Sequence, residues 1–246
     1  MIDHNRKIIF IHIPKCGGSS IENAFGSFYQ SGAGHTTLSN YLSMTEDQLS
    51  PSRPDGKGNI IGEQTCSLDE YFKFTFVRNP WAKMLSSYFH YCEGRDINDG
   101  MTRLIGKPVV EHFKKNCNSF KDFLRFFFQE YIPSGVIEGK TEASKINPNN
   151  SENFSPPFVG EASHREEQWK FITPINKVDF IGRLENINND FRYLQKRLGE
   201  DLHLPHSNKT SHRHYSEYYD DEDIDFVAEK YKIDIELFNF SYEIKT

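Results

Sequence analysis

The chain has 246 residues and a formal net charge of −6, and 14% of it is aromatic, with 21 Phe and 12 Tyr. That length suits one large domain and buries a proper core, and the aromatic content favours a packed globule despite a mean hydropathy of −0.66. The acidic balance argues against general nucleic-acid binding, which wants a basic face, but an anion site set by local residues stays open.

Met1-Ile2-Asp3-His4-Asn5-Arg6-Lys7 leads directly into Lys7-Ile8-Ile9-Phe10-Ile11-His12-Ile13, a nearly unbroken apolar segment of the kind required by a strand buried on both faces. His12 inside that strand is expected to be structural. Next comes Pro14-Lys15-Cys16-Gly17-Gly18-Ser19-Ser20, and then a helix over 19–28 in which Ile21, Ala24 and Phe25 share one face. A strand, a tight glycine turn and a helix opened by serines make an anion cradle. Backbone N–H groups point into the turn, the positive end of the helix dipole lies behind them, and the lysine adds a mobile charge. The common phosphate loop, G-x-x-x-x-G-K-[ST], places lysine after the second glycine; here lysine precedes both, and the full pattern occurs nowhere in the chain. The fingerprint G-x-G-x-x-G is missing too, and a tyrosine-phosphatase reading fails because Glu22, not arginine, stands six positions after Cys16. A structural turn with an incidental lysine is the plain alternative.

Residues 30–58 are rich in Gly, Ser, Thr and Pro and read as a long loop, which holds Gly34-His35-Thr36-Thr37-Leu38. After a weak strand candidate at Asn59-Ile60-Ile61-Gly62 comes a second strand over 71–77. It ends in Arg78-Asn79-Pro80-Trp81, which opens a helix over 81–91. Proline sits well just inside a helix start, where its missing N–H would have no partner, and Met84, Leu85 and Tyr88 make an apolar stripe. Arg78 therefore leaves the C-terminal end of a strand, where ligands of open α/β sheets collect. Ser86 lies roughly 12 Å along the helix, so it shares an anion with Arg78 only if the helix lies back across the strand end. For Arg78 the alternative is a surface ion pair.

Further helices are predicted over 119–130, 187–198 and 221–231, a third strand over 178–182, and a second long loop over 132–162. This alternation indicates a three-layer α/β fold with a mainly parallel central sheet flanked by helices. Loops as long as 30–58 and 132–162 are functional or disordered in a compact domain. The acidic run Asp220 to Asp225 reads as a helix N-terminus favoured by the dipole, since it lacks the glycine and terminal glutamate of a calcium loop. Cys16, Cys66, Cys92 and Cys117 show neither C-x-x-C pairing nor metal spacing, as expected for reduced thiols in a cytosolic protein. No signal peptide fits the N-terminus and no apolar run approaches membrane-spanning length.

Strand-PKxGGSS-helix followed by strand-FVRNP-helix-S resembles the two donor-binding segments of sulfotransferases that use 3′-phosphoadenosine 5′-phosphosulfate (PAPS), most closely those of the carbohydrate-modifying branch. The resemblance continues in family order through Phe180-Ile181-Gly182-Arg183-Leu184-Glu185-Asn186, Asp190-Phe191, Leu204-Pro205-His206-Ser207-Asn208-Lys209-Thr210, Tyr218-Tyr219-Asp220-Asp221-Glu222-Asp223 and Asp234-Ile235-Glu236-Leu237-Phe238. It implies one sulfotransferase domain, 1–246, of P-loop-like fold, with loops 30–58 and 132–162 shaping an acceptor pocket for a glycan or glycolipid, and no metal. Animal members of that branch are membrane-anchored Golgi enzymes; without such an anchor this chain is expected to be a bacterial-type cytoplasmic enzyme.

Carried over residue by residue, the resemblance gives Lys15, Cys16, Gly17, Gly18, Ser19 and Ser20 the 5′ side of the donor, and Arg78 with Ser86 the 3′-phosphate. Lys209 and Thr210 belong to a late loop that closes over the nucleotide. Sulfuryl transfer is an in-line displacement promoted by positioning and electrostatics, in which Lys15 would sit on the charge developing at the leaving oxygen. His35 lies in a loop similar to one where a histidine–threonine pair supplies the general base, and imidazole titrates near neutrality as that role requires. Glu63 is a rival base. His164, four residues before Gln168 on a short helical run, is a candidate for the acceptor pocket and another rival. Arg183 is expected to support the donor or acceptor site, with a fold-stabilising pair to Glu185 equally open. Two other readings stand beside this one: an atypical P-loop kinase, for which no magnesium carboxylate is convincingly placed, and a non-catalytic nucleotide-binding module.

Overall fold

A computed structural model describes residues 1–26, 35–44, 67–93, 107–129, 163–205 and 212–244. Four described strands, β1 (Ile2–Asp3), β2 (Ile8–Ile11), β3 (Phe72–Val77) and β4 (Phe180–Arg183), are accompanied by eight described α-helices of six residues or more. These are α1 (Gly18–Phe25), α2 (Leu38–Ser43), α3 (Pro80–Tyr88), α4 (Lys107–Asn116), α5 (Phe120–Gln129), α6 (Ile187–Leu198), α7 (Asp221–Lys230) and α8 (Lys232–Phe238). The chain divides into two units, Met1–Val77 with Gln168–Asn208 and Arg78–Glu167 with Lys209–Thr246.

The first unit is built on a sheet of order β1-β2-β3-β4. β1 is antiparallel to β2, whereas β2, β3 and β4 are parallel, with Ile11 opposite Thr75 and Val77 opposite Arg183. All three parallel strands thus end at one edge, and the loops that follow them gather there. Side chains alternate across the sheet. Ile8, Phe10, Phe74 and Phe76 form one core with Ile21 and Phe25 of α1 and Phe191 and Leu194 of α6. Ile9, Ile11, Thr75 and Val77 lie on the opposite face and are at most 1% exposed. Burial on both faces is why these strands read as continuous apolar runs, and each buried phenylalanine contributes about 2 kcal/mol.

In the second unit Phe120, Phe123, Leu124 and Phe127 recur at helical spacing along α5 and join Trp81, Met84, Leu85, Tyr91, Phe113 and Tyr231 in an aromatic core. The acidic run opens α7 as its sequence implied: Asp220 Oδ1 accepts from the Asp223 N–H at 2.9 Å, with Asp221, Glu222 and Asp223 in the first turn.

The structure departs from the sequence reading at several places. β2 stops at Ile11, so His12 lies just beyond the strand and not within it; the chain leaves the sheet toward Pro14, which has no N–H for a ladder, and the left-handed Lys15. A short helix, α2, lies inside the 30–58 stretch read as loop. Thr37 Oγ1 caps it, accepting from the Asn40 N–H at 3.2 Å, and Leu38 and Tyr41 are buried, too few residues for a helical period to register. No element was expected at α4, whose deeply buried side chain among those described is Phe113. After Tyr88 the helix predicted over 81–91 widens into a π turn, Phe89–Glu93. The strand candidate at 59–62, Glu63, Lys209, Thr210 and the loop 132–162 lie outside the described residues. No helix among the described residues is long and apolar enough to cross a membrane.

Candidate functional site

Between β2 and α1 the backbone of Lys15 and Gly17 is left-handed, with φ of 65° and 83°. Left-handed residues set between right-handed ones fold successive N–H groups toward one side and form an anion nest. Glycine accepts this conformation freely, whereas lysine holds it at a cost of about 1 kcal/mol. The two glycines are required for different reasons. Gly17 has the positive φ, and a Cβ there would also come within 2.7 Å of Leu184 Cδ1; a Cβ on Gly18 would run into the His12 ring.

Hydrogen bonding narrows the set of cradle donors. The Cys16 N–H reaches Ile13 O at 3.4 Å, and those of Ser20 and Ile21 reach Gly17 O at 3.0 and 3.2 Å. Gly18 and Ser19 sit in the first turn of α1, where an N–H has no intrahelical acceptor. Gly17, the N-cap, brings no side chain, and the first turn holds no acidic residue. α7 fills its own N-terminus with carboxylates, whereas the first turn of α1 holds none, an arrangement able to receive an outside anion. The Cys16 side chain, 1% exposed, turns inward, its Sγ 3.2 Å from Gln168 Oε1 and 3.4 Å from Pro14 O. It anchors the turn.

Two histidines meet behind this loop. His12 Nδ1 donates to Glu22 Oε1 at 3.0 Å, and its ring stacks on Phe10 at 5.7 Å and meets the edge of His35 at 4.6 Å. His35 Nδ1 lies 3.1 Å from the His12 carbonyl oxygen. A carbonyl only accepts, so Nδ1 carries the proton, and in the neutral form of the ring the lone pair is on Nε2. Burial by itself raises the Glu22 carboxyl, but the hydrogen bond and charge of His12, with the N-terminal ammonium, bring it below the usual carboxylate range. Arg183 ends β4, its N–H donating to Asp190 Oδ2 at 2.6 Å, and the next residue, Leu184, packs over Gly17.

In the second unit Arg78, half-buried, stands one peptide bond beyond Val77. Asn79 caps α3, its Oδ1 accepting from the N–H groups of Trp81 and Ala82 at 3.1 and 3.4 Å while Nδ2 donates to Ser241 O at 2.9 Å. Of the two adjacent serines on α3, Ser87 is fully buried and donates to Lys83 O at 3.1 Å, whereas Ser86 is partly exposed. Lys83, fully buried, donates to His164 O and Glu166 O at 2.8 and 3.1 Å. His164 itself is buried, with Nδ1 3.0 Å from Tyr91 Oη.

Within the first unit the structure therefore gathers Lys15, Cys16, Gly17, Gly18, Ser19 and Ser20 with His35, while Arg78, Ser86 and His164 belong to the second. Sequence reasoning missed the parts played by Glu22, Gln168 and Leu184. For Glu22 a signal existed, because Gly18 and Glu22 are four residues apart and share a helical face; Gln168 lies 152 positions from the Cys16 it holds, beyond any local pattern. Among the described residues no three His, Cys, Asp or Glu side chains are placed to hold a metal ion.

The model of the sulfotransferase family matches residues 1–241. Carbohydrate sulfotransferase 11 of Rattus norvegicus is 21% identical over 254 residues, covering 98% of this chain and 66% of the relative, and its Mus musculus counterpart gives the same values. An uncharacterized protein of Archaeoglobus fulgidus is 26% identical over 141 residues, 57% of this chain and 77% of that protein. The chain thus spans just under two thirds of the length of the carbohydrate sulfotransferases it matches. No solved structure gives a significant match.

Proposed function

We propose a specific reaction for this chain, which belongs to the sulfotransferase family: transfer of a sulfuryl group from PAPS to a hydroxyl of a glycan or glycolipid. The observation that carries the donor half is the start of α1, uncapped and free of carboxylates behind the left-handed Lys15 and Gly17. Similarity to carbohydrate sulfotransferase 11 over 98% of the chain supports the carbohydrate acceptor. In this reading the chain acts as one catalytic domain of three-layer, P-loop-like build.

The N–H groups of Gly17, Gly18 and Ser19 grip the 5′ end of the donor. Lys15 places its ammonium on the oxygen that bridges to the departing phosphate, where charge grows as the bond to sulfur lengthens. Arg78 offers a planar fork to the 3′-phosphate and Ser86 a single hydrogen bond, with Lys209 and Thr210 closing over the nucleotide. His35 takes the acceptor proton on Nε2, the nitrogen that the His12 carbonyl leaves unprotonated. Arg183 and Leu184 brace the loop from the end of β4.

Calorimetry tests the donor half. 3′-Phosphoadenosine 5′-phosphate is expected to bind without metal and far more tightly than adenosine 5′-phosphate, and Arg78→Ala to weaken it by about 2–4 kcal/mol. Lys15→Ala is expected to lose much more turnover than affinity, because its contact strengthens in the transition state. Equal binding of the two nucleotides would overturn the donor assignment. Sulfation of phenols but of no sugar hydroxyl would overturn the acceptor class.

A further inference from the structure

We propose that His12 is a positioning residue that couples the donor loop to His35, an inference resting on the reading of His35 as the general base. Four contacts of this side chain and its carbonyl join the donor loop to His35. Nδ1 is bonded to Glu22, one turn along α1 from Gly18. The Nε2 edge of the ring fills the space that a Cβ would take on Gly18. The ring meets the edge of His35, and the carbonyl oxygen fixes the His35 tautomer.

A carboxylate on one imidazole nitrogen is also how a catalytic histidine is oriented, so His12 itself needs weighing as the base. Its Nε2 edge is pressed onto the backbone of the donor loop, and its side chain is only 12% exposed. The bond from His35 Nδ1 goes to the His12 carbonyl, so it is the backbone of His12 that directs the His35 ring. His12 therefore acts through its neighbours. The wedge at Gly18 and the bond to Glu22 fix the first two turns of α1, whose leading N–H groups form the cradle, while the same residue sets the direction of His35. Donor grip and base orientation then depend on one side chain, and Gly18 is a glycine because His12 occupies its Cβ space.

A size-swap cycle tests this, with 3′-phosphoadenosine 5′-phosphate as the binding probe and sulfate transfer as the second readout. Gly18→Ala alone is expected to weaken nucleotide binding roughly tenfold or more, since a methyl group is forced onto a packed ring. His12→Asn keeps a donor for Glu22 but removes the ring, and combining it with Gly18→Ala is expected to recover most of that binding. Unchanged binding in Gly18→Ala, or a double variant no better than Gly18→Ala, would overturn the wedge. For the second link, His12→Asn at saturating donor is expected to lower kcat by about tenfold or more, part of the roughly 10²–10⁴ that a positioned base supplies, with a smaller change in donor affinity. An unaltered kcat in His12→Asn would overturn the coupling to His35. His35→Ala separates the two ideas: full turnover there would dismiss the base reading, while the binding cycle would still decide the wedge. His12→Gln provides a second ring-free variant should the asparagine protein fail to fold.

Discussion

Replacing Lys15 by glycine and by alanine separates what this residue does for the fold from what it does for the reaction. Lys15 holds a φ of 65°, a conformation that costs an L-residue about 1–2 kcal/mol and glycine almost nothing. Both substitutions remove every side-chain atom of the lysine beyond Cβ, so the contacts of those atoms cancel in the comparison, and the backbone term, the unfolded chain and one methyl group are what differ. Glycine gains relief of the left-handed strain and loses about 0.4–1 kcal/mol through the greater freedom of its unfolded state. The balance leaves Lys15→Gly more stable than Lys15→Ala by about 1 kcal/mol. In a domain of this size that is a rise of about 2–4 °C in Tm, measurable by calorimetry or by circular dichroism under identical buffer. Both variants should lose turnover, because neither has a cation for the leaving oxygen. An alanine variant equal to or more stable than the glycine variant would refute the reasoning, since position 15 would then carry no left-handed strain.

Asn79→Ala removes the cap of α3 and its bond to Ser241 from a site 4% exposed, and should lower stability by roughly 2 kcal/mol in urea denaturation; a loss below a few tenths would show that solvent replaces the cap. Glu22→Gln should change how stability depends on pH. Because the folded carboxyl titrates below its ordinary value of 4.5, its contribution is complete above that value and is lost as pH falls through the lowered one. An acid titration of Tm should therefore be shallower in Glu22→Gln than in the parent chain, and parallel curves would remove Glu22 from the network.

The elements that read clearly from the sequence are those whose information is local. Continuous apolar runs gave β2 and β3 to within a few residues because strands buried on both faces need hydrophobes at most positions, and the shorter run gave the partly exposed edge strand β4. The Asn-Pro pair marked the start of α3, and the acidic run the start of α7, since capping and dipole effects act within one turn. The double glycine beside Lys15 marked the turn between β2 and α1 for the same reason. Two elements did not read: α2 is short and buries Leu38 and Tyr41, and among the described side chains of α4 the deeply buried one is Phe113. Only the tertiary structure showed why position 18 must be glycine. The atoms that exclude a Cβ there belong to His12, six residues earlier across a turn, while those packed over Gly17 belong to Leu184 on another strand end. Likewise the sequence offered His35 as a candidate among ten histidines, but its tautomer follows from a carbonyl 23 positions away. A residue's backbone propensity is written in its neighbours along the chain; its protonated nitrogen and its room for a side chain depend on what folding brings within a few ångströms.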